Sequence, residues 1–150
     1  MLLLGERRER YIKKIIRRRQ HLPERVLVVE DDADTRRMLV SAIAEEGFEP
    51  IPALDGDHAL RSALAIEPSA IVLDLMLPGV SGEEFAHAYH ALTNANAPIV
   101  VVSARHDAEQ VGRHIGAEAV LPKPLDIAAF LARLRATIDG TRGSATPRPA

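Results

Sequence analysis

Hydrophobic residues in this chain come in blocks whose period switches along the sequence. Val26-Leu27-Val28-Val29, Ala70-Ile71-Val72-Leu73 and Ile99-Val100-Val101-Val102 are unbroken apolar runs, the pattern of strands covered on both faces. Between and after them the spacing becomes helical, as at Met38, Leu39, Ala42 and Ile43, at Ala59, Leu60, Ala63, Leu64 and Ile66, and at Ile127, Phe130, Leu131, Leu134 and Ile138, which predicts amphipathic helices. The predicted strands are 25–29, 48–54, a third that runs up to Asp74, 98–102 and 119–121. The helices that follow them end at Gly47, cover 56–66, about 82–92 and about 107–115, and run from an Asp126 cap to Gly140. Pro50 and Pro52 break the ladder donors of the second strand, which puts it at a sheet edge. Strand and helix alternate five times, so the expected class is α/β, a doubly wound five-stranded parallel sheet with five helices and right-handed crossovers.

Residues 1–24 stand apart from this pattern. Tyr11, Ile12, Ile15 and Ile16 share one helical face, Arg and Lys cover the rest, and Pro23 ends the segment. Residues 1–22 hold eight Lys or Arg against Glu6 and Glu9, a charge of about +6, so the remainder carries about −8 of the total of −2. The segment is read as a basic helical extension. Its plain role is a solvated arm, and its sharper one an arm for an acidic partner, a membrane surface or nucleic acid. The globular unit is 25–139, and 140–150, rich in Gly, Ser, Pro and Arg, is expected to be a disordered tail. The final helix is followed by no stretch long enough for an output domain, so the chain is expected to work as a stand-alone unit.

Composition narrows the chemistry. Aromatics are only 3% of the residues, so the core must be aliphatic. There is no Cys, which excludes a disulfide, a thiolate zinc site and a cysteine nucleophile and fits a reducing compartment. No apolar stretch is long enough to span a bilayer and no signal-peptide core is present, so the expected location is the cytoplasm.

In a parallel sheet the carboxyl ends of the strands share one edge, where ligands bind. Glu30, Asp31 and Asp32 follow the first predicted strand, Asp74 the third, Ser103 and Ala104 the fourth and Lys123 the fifth. Clustered carboxylates repel, and a hard divalent cation such as Mg²⁺ relieves that repulsion. A lysine and a hydroxyl can hold the oxygens of a phosphoryl group, and a carboxylate can accept one as an acyl phosphate. Any one of these residues alone reads as a turn former, a cap or a surface charge. Their register at the ends of four strands points to a common site.

These stretches resemble the receiver domain of two-component response regulators, flavodoxin-like in fold. The resemblance covers about 25–139 and rests on Val26-Leu27-Val28-Val29-Glu30-Asp31-Asp32, on Asp74 with Met76-Leu77-Pro78-Gly79 and Ser81-Gly82, on Pro98-Ile99-Val100-Val101-Val102-Ser103-Ala104, and on Leu121-Pro122-Lys123-Pro124. It implies that Asp74 accepts a phosphoryl group from a histidine kinase or phosphotransfer protein. It implies Mg²⁺ held by Asp31, Asp74, the Met76 carbonyl and, through water, Glu30. Ser103 and its neighbour Ala104 would form the switch position, Lys123 would pair with a phosphoryl oxygen, and Pro124 would follow a cis bond. Asp32 is expected to act as a loop or cap residue. The family often carries Tyr or Phe three residues before the Lys, whereas this chain has Val120. An aromatic rotamer switch cannot operate there, and switching is expected to shift loop and helix populations instead.

The leading function is therefore a phosphorylation-dependent signalling switch that acts through partner binding or phosphorelay. It would be an enzyme only toward its own phosphorylation and dephosphorylation. The alternative is a phosphorylation-independent binding scaffold with a vestigial acidic site. A hydrolase using an aspartyl-phosphate intermediate would place a proton donor two residues past the nucleophile, where Met76 cannot serve. Nucleic-acid binding is expected at most from residues 1–22. His58, His87, His90, His106 and His114 match no metal-binding spacing and are expected on helix surfaces or in loops.

Overall fold

The computed structural model describes residues 4–94 and 96–143. Its elements run α1 (Leu4–His21), β1 (Arg25–Val29), α2 (Ala33–Glu45), β2 (Glu49–Ala53), α3 (Gly56–Ile66), β3 (Ala70–Leu73), α4 (Gly82–Leu92), β4 (Ile99–Ser103), α5 (Ala108–Ile115), β5 (Ala119–Pro122) and α6 (Ile127–Gly143). The five strands form one parallel sheet in the order β2-β1-β3-β4-β5. β2 lies at an edge, as its prolines require.

Side chains alternate across each strand, and this sorts the core into two layers. Leu27, Val29, Ile71, Leu73, Ile99 and Val101 point to one face, where Ala59 and Ala63 of α3, Phe85 and Tyr89 of α4, and Val111 and Ile115 of α5 cover them. Val26, Val28, Ala70, Val72, Val100 and Val102 point to the other, against Leu39 and Ile43 of α2 and Phe130, Leu134 and Ile138 of α6. The continuous apolar runs follow from this double cover. A strand buried on both faces has no polar side to show.

Helix starts are set by local chemistry. Asp32 caps α2, accepting from the Thr35 N–H at 2.9 Å and its hydroxyl at 2.7 Å. Asp55 caps α3, Ser81 caps α4 through the Glu84 N–H at 3.2 Å, and Asp126 accepts from the Ala129 N–H at 3.0 Å at the start of α6.

One boundary differs from the sequence reading. Gly140 does not end the last helix. α6 continues to Gly143, with the Thr141 hydroxyl bonding back to the Thr137 carbonyl at 3.0 Å. A glycine inside an exposed helix costs only about 1 kcal/mol relative to Ala, and it stops a helix only where the backbone turns left-handed, as it does at Gly116 (φ 74°). The remaining tail residues, 144–150, lie outside the described residues.

Candidate functional site

Chain order reverses between β1 and β3, which are neighbours although β2 comes between them in sequence. The crevice at such a switch point collects the side chains that leave the two strands. Val29 pairs with Leu73, so the next residues, Glu30 and Asp74, emerge side by side. The Asp74 N–H closes this corner on the Val29 carbonyl at 3.0 Å. Glu30, Asp74 and Ser103 are the buried polar or charged residues among those described, so polar burial is concentrated at this edge. At the far side, the Lys123 N–H bonds the Ser103 carbonyl at 3.1 Å. This carries the lysine over from β5, and its ammonium reaches Asp74 Oδ2 at 3.1 Å and the two Glu30 oxygens at 3.0 and 3.2 Å.

The electrostatics of this group are those of a crowded anionic pocket. Burial pushes the Glu30 carboxyl above its ordinary 4.5; the hydrogen bond from Lys123 opposes the rise and the charge of Asp74 adds to it. Burial alone would depress Lys123, but its hydrogen bonds to Glu30 and Asp74 outweigh this and hold the ammonium above its ordinary value. One cation thus serves two carboxylates, and Asp31 brings a third. Glu30, Asp31 and Asp74 can each place an oxygen within 4.8 Å of the others. Oxygen-only donors, with Asp31 open to solvent, suit a hard divalent cation that keeps part of its water shell, and Mg²⁺ fits this set.

The other predicted residues flank this cluster. The Met76 N–H donates to Asp74 Oδ1 at 3.0 Å, which fixes the carboxylate against the loop after β3. Ser103 ends β4 with its hydroxyl accepting from the Arg105 N–H at 3.2 Å. Ala104 follows at the surface. The Lys123–Pro124 peptide bond is cis. Asp32 turns away into its cap role. The loop from Asp74 to Ser81 folds tightly on itself, and Gly82 is where the room runs out. A Cβ there would stand 2.8 Å from the Asp74 carbonyl oxygen and from Leu75 Cα.

Residues 26–135 match the family model of the response regulator receiver domain. The chain belongs to this receiver family. It is 39% identical over 124 residues to the transcriptional regulatory protein PrrA of Mycobacterium tuberculosis, a match covering 81% of this chain and 53% of PrrA. It is 35% identical over 117 residues to the DNA-binding response regulator MtrA of Mycobacterium leprae, covering 77% of this chain and 51% of MtrA. The chain therefore spans about half the length of the curated relatives it matches. Among solved structures it is similar to the chemotaxis protein CheY4 of Vibrio cholerae, with a TM-score of 0.72 at 27% identity over 77% of this chain and 99% of that one. It is likewise similar to the receiver domain of Francisella response regulator 1452, with a TM-score of 0.73 at 27% identity over 79% and 98%.

Two features of this receiver were not legible in its sequence. Arg105 forms a bidentate pair with Asp107 at 2.8 and 2.9 Å and reaches Glu83 in the first turn of α4 at 2.8 Å. It ties the loop after β4 to α4 and to the start of α5. Its hydrogen bonds hold the Asp107 carboxyl below its ordinary value. Arg36, one turn into α2, donates to the Glu30 and Asp31 carbonyls, both at 3.1 Å, and so braces the acidic loop from behind. The position of Arg105, two past Ser103, marks it in the sequence as a neighbour of the site, but its partners, like the whole role of Arg36, are set by the fold. His58, His87, His90, His106 and His114 lie exposed on helices or in a loop, His87 and His114 meeting edge to face between α4 and α5. Among the described residues no helix is long and apolar enough to cross a membrane.

Proposed function

We propose that this receiver is a phosphorylation-dependent signalling switch with Asp74 as acceptor. The observation that carries the reading is the Lys123 ammonium shared between the buried Asp74 and Glu30 carboxylates at the switch-point edge. An Asp74 oxygen attacks the phosphorus of a phosphohistidine on a sensor kinase or phosphotransfer protein. The new O–P bond forms as the P–N bond breaks, and the imidazole leaves with the bonding electron pair. Mg²⁺, held by Glu30, Asp31, Asp74 and the Met76 carbonyl, would neutralise charge on the transferring oxygens. Lys123 gives up part of its pairing with the carboxylates to meet a phosphoryl oxygen, and the Ser103 hydroxyl meets another.

The same geometry supplies a route outward. Ser103 Oγ accepts from the Arg105 N–H, and the Arg105 side chain binds both α4 and the start of α5. A hydroxyl drawn toward Asp74 pulls on a residue that bridges two helices. The change is read by a downstream protein, or the phosphoryl group is passed on.

The test is an intact mass after incubation with a small acyl phosphate, with Mg²⁺ or with excess chelator. The expected result is one phosphoryl group that requires Mg²⁺ and is absent from a folded Asp74→Asn variant. Labelling that survives in Asp74→Asn refutes the assignment.

A further inference from the structure

The helix that precedes the receiver has two unlike faces, and among the described residues nothing buries either. Residues 4–18 are exposed throughout. Leu4, Tyr11, Ile12, Ile15 and Ile16 keep between 41% and 89% of their surface in solvent. Their spacing places them on one side, whereas Arg10, Lys13, Lys14 and Arg17 lie on the other and Arg7 and Arg18 flank the boundary. Five apolar residues over the roughly 18 Å of helix from Leu4 to Ile16 form an apolar stripe, interrupted by Arg8, that water disfavours.

We propose that α1 is an interfacial helix that lies on an anionic phospholipid bilayer, with its Tyr and Ile face at the acyl boundary and its basic face among the headgroups. Three observations select this occupant. A second copy of the helix would bring two arms of about +6 together, which their charge opposes. Nucleic acid would engage the basic face and leave the isoleucines in water. Arg8 decides against an enclosing acidic protein groove. It lies within the apolar face, four residues from both Leu4 and Ile12. A closed groove would strip its charge of solvent, whereas at a bilayer surface its long stem lets the guanidinium reach the headgroups. Connectivity is compatible with such docking. α1 joins the amino end of β1 through Leu22–Glu24, and Asp74 lies at the opposite, carboxyl edge of the sheet, away from a surface that α1 would bind. The proposal is independent of the phosphorylation reading and goes beyond it.

The experiment uses the full chain and vesicles of phosphatidylcholine, either pure or with roughly one-third phosphatidylglycerol. The chain has no Trp, so Tyr11→Trp is a single reporter on the apolar face. The expected result is co-sedimentation with the anionic vesicles alone, weakened by salt, with a blue-shifted Trp spectrum. Lys13→Gln/Lys14→Gln should weaken binding by about 25-fold, from about fivefold per cation removed. Ile12→Ser/Ile15→Ser should weaken it at least about tenfold. Both double variants should keep the parent's melting temperature, since these side chains support nothing in the receiver. Four results overturn the proposal: no vesicle binding by the parent chain; equal binding to neutral and anionic vesicles; binding that the serine variant retains in full; or binding without a spectral shift. Duplex DNA binding or dimerisation in the absence of vesicle binding would reassign the helix to those partners.

Discussion

The contact between α5 and β5 offers the sharpest test of the packing. A Cβ on Gly112 would stand 2.3 Å from Val120 Cγ2, far inside any real carbon–carbon contact, so helix and strand meet here with only the Val120 side chain between them. In Gly112→Ala two effects oppose. Removing a helical glycine gains about 0.5–1 kcal/mol, and forcing a methyl into a filled space costs about 1–3 kcal/mol. Val120 is β-branched and has few rotamers with which to withdraw, so the cost should win and the variant should be less stable by about 0.5–2 kcal/mol. At this chain length that is a fall in melting temperature of about 1–8 °C. Truncating the obstacle changes the sign. In a Val120→Ala background the new methyl has room, only the helical gain remains, and Gly112→Ala should stabilise. Urea unfolding followed by circular dichroism on the four proteins gives the coupling directly, expected at about 1–3 kcal/mol. Additivity within about 0.5 kcal/mol, or stabilisation by Gly112→Ala alone, would refute the close approach.

Other consequences follow from single contacts. Ser81→Ala removes the cap of α4 and should cost about 1 kcal/mol, seen as a lower midpoint in the same unfolding assay. Asp107 is held below its ordinary 3.8 by Arg105; a lowered carboxyl contributes stability that is present above pH 3.8 and lost as pH falls through the folded value. Arg105→Gln should therefore narrow its stability deficit against the parent on acidification through and below pH 3.8, and a deficit constant across that range would count against the pair. Mg²⁺ at ten times its dissociation constant should stabilise the fold by about 1.4 kcal/mol, and Asp31→Asn should abolish most of that gain in a thermal shift titration.

Most of the sheet was legible because its signals are local. Four-residue apolar runs, two prolines in β2 and a polar residue at the end of each run give the strands, their order of exposure and the edge on which Glu30, Asp74, Ser103 and Lys123 gather. The caps at Asp32 and Asp126 follow from the same kind of short-range chemistry. What escaped was relational. Arg105 and Glu83 are 22 residues apart, and nothing in either neighbourhood shows that they meet. Gly112 lies inside a helix, where its cost has no local explanation. Its reason is Val120, on the next strand. Gly140 misled for the opposite reason: a stop signal is only a permission to turn, and α6 did not take it.

These two long-range contacts divide α5 mechanically. Its middle is seated on β5 by steric contact at Gly112 and Val120, and interlocked packing resists displacement steeply. Its beginning is held by Arg105 through Asp107 and across to Glu83, with all three side chains about one-third exposed. Solvent screens such pairs, and their energy falls gently with distance. The soft end of the helix is therefore the end nearest Ser103, and the rigid part lies beneath Val120. Under the proposed reading, a pull on the Ser103 hydroxyl would rearrange the Arg105 contacts and pivot the start of α5 against a fixed centre. The exposed surface between α4 and α5 would change shape without any ring turning inside the domain. Val120 would then be the fulcrum, and the side chain that moves would be Arg105.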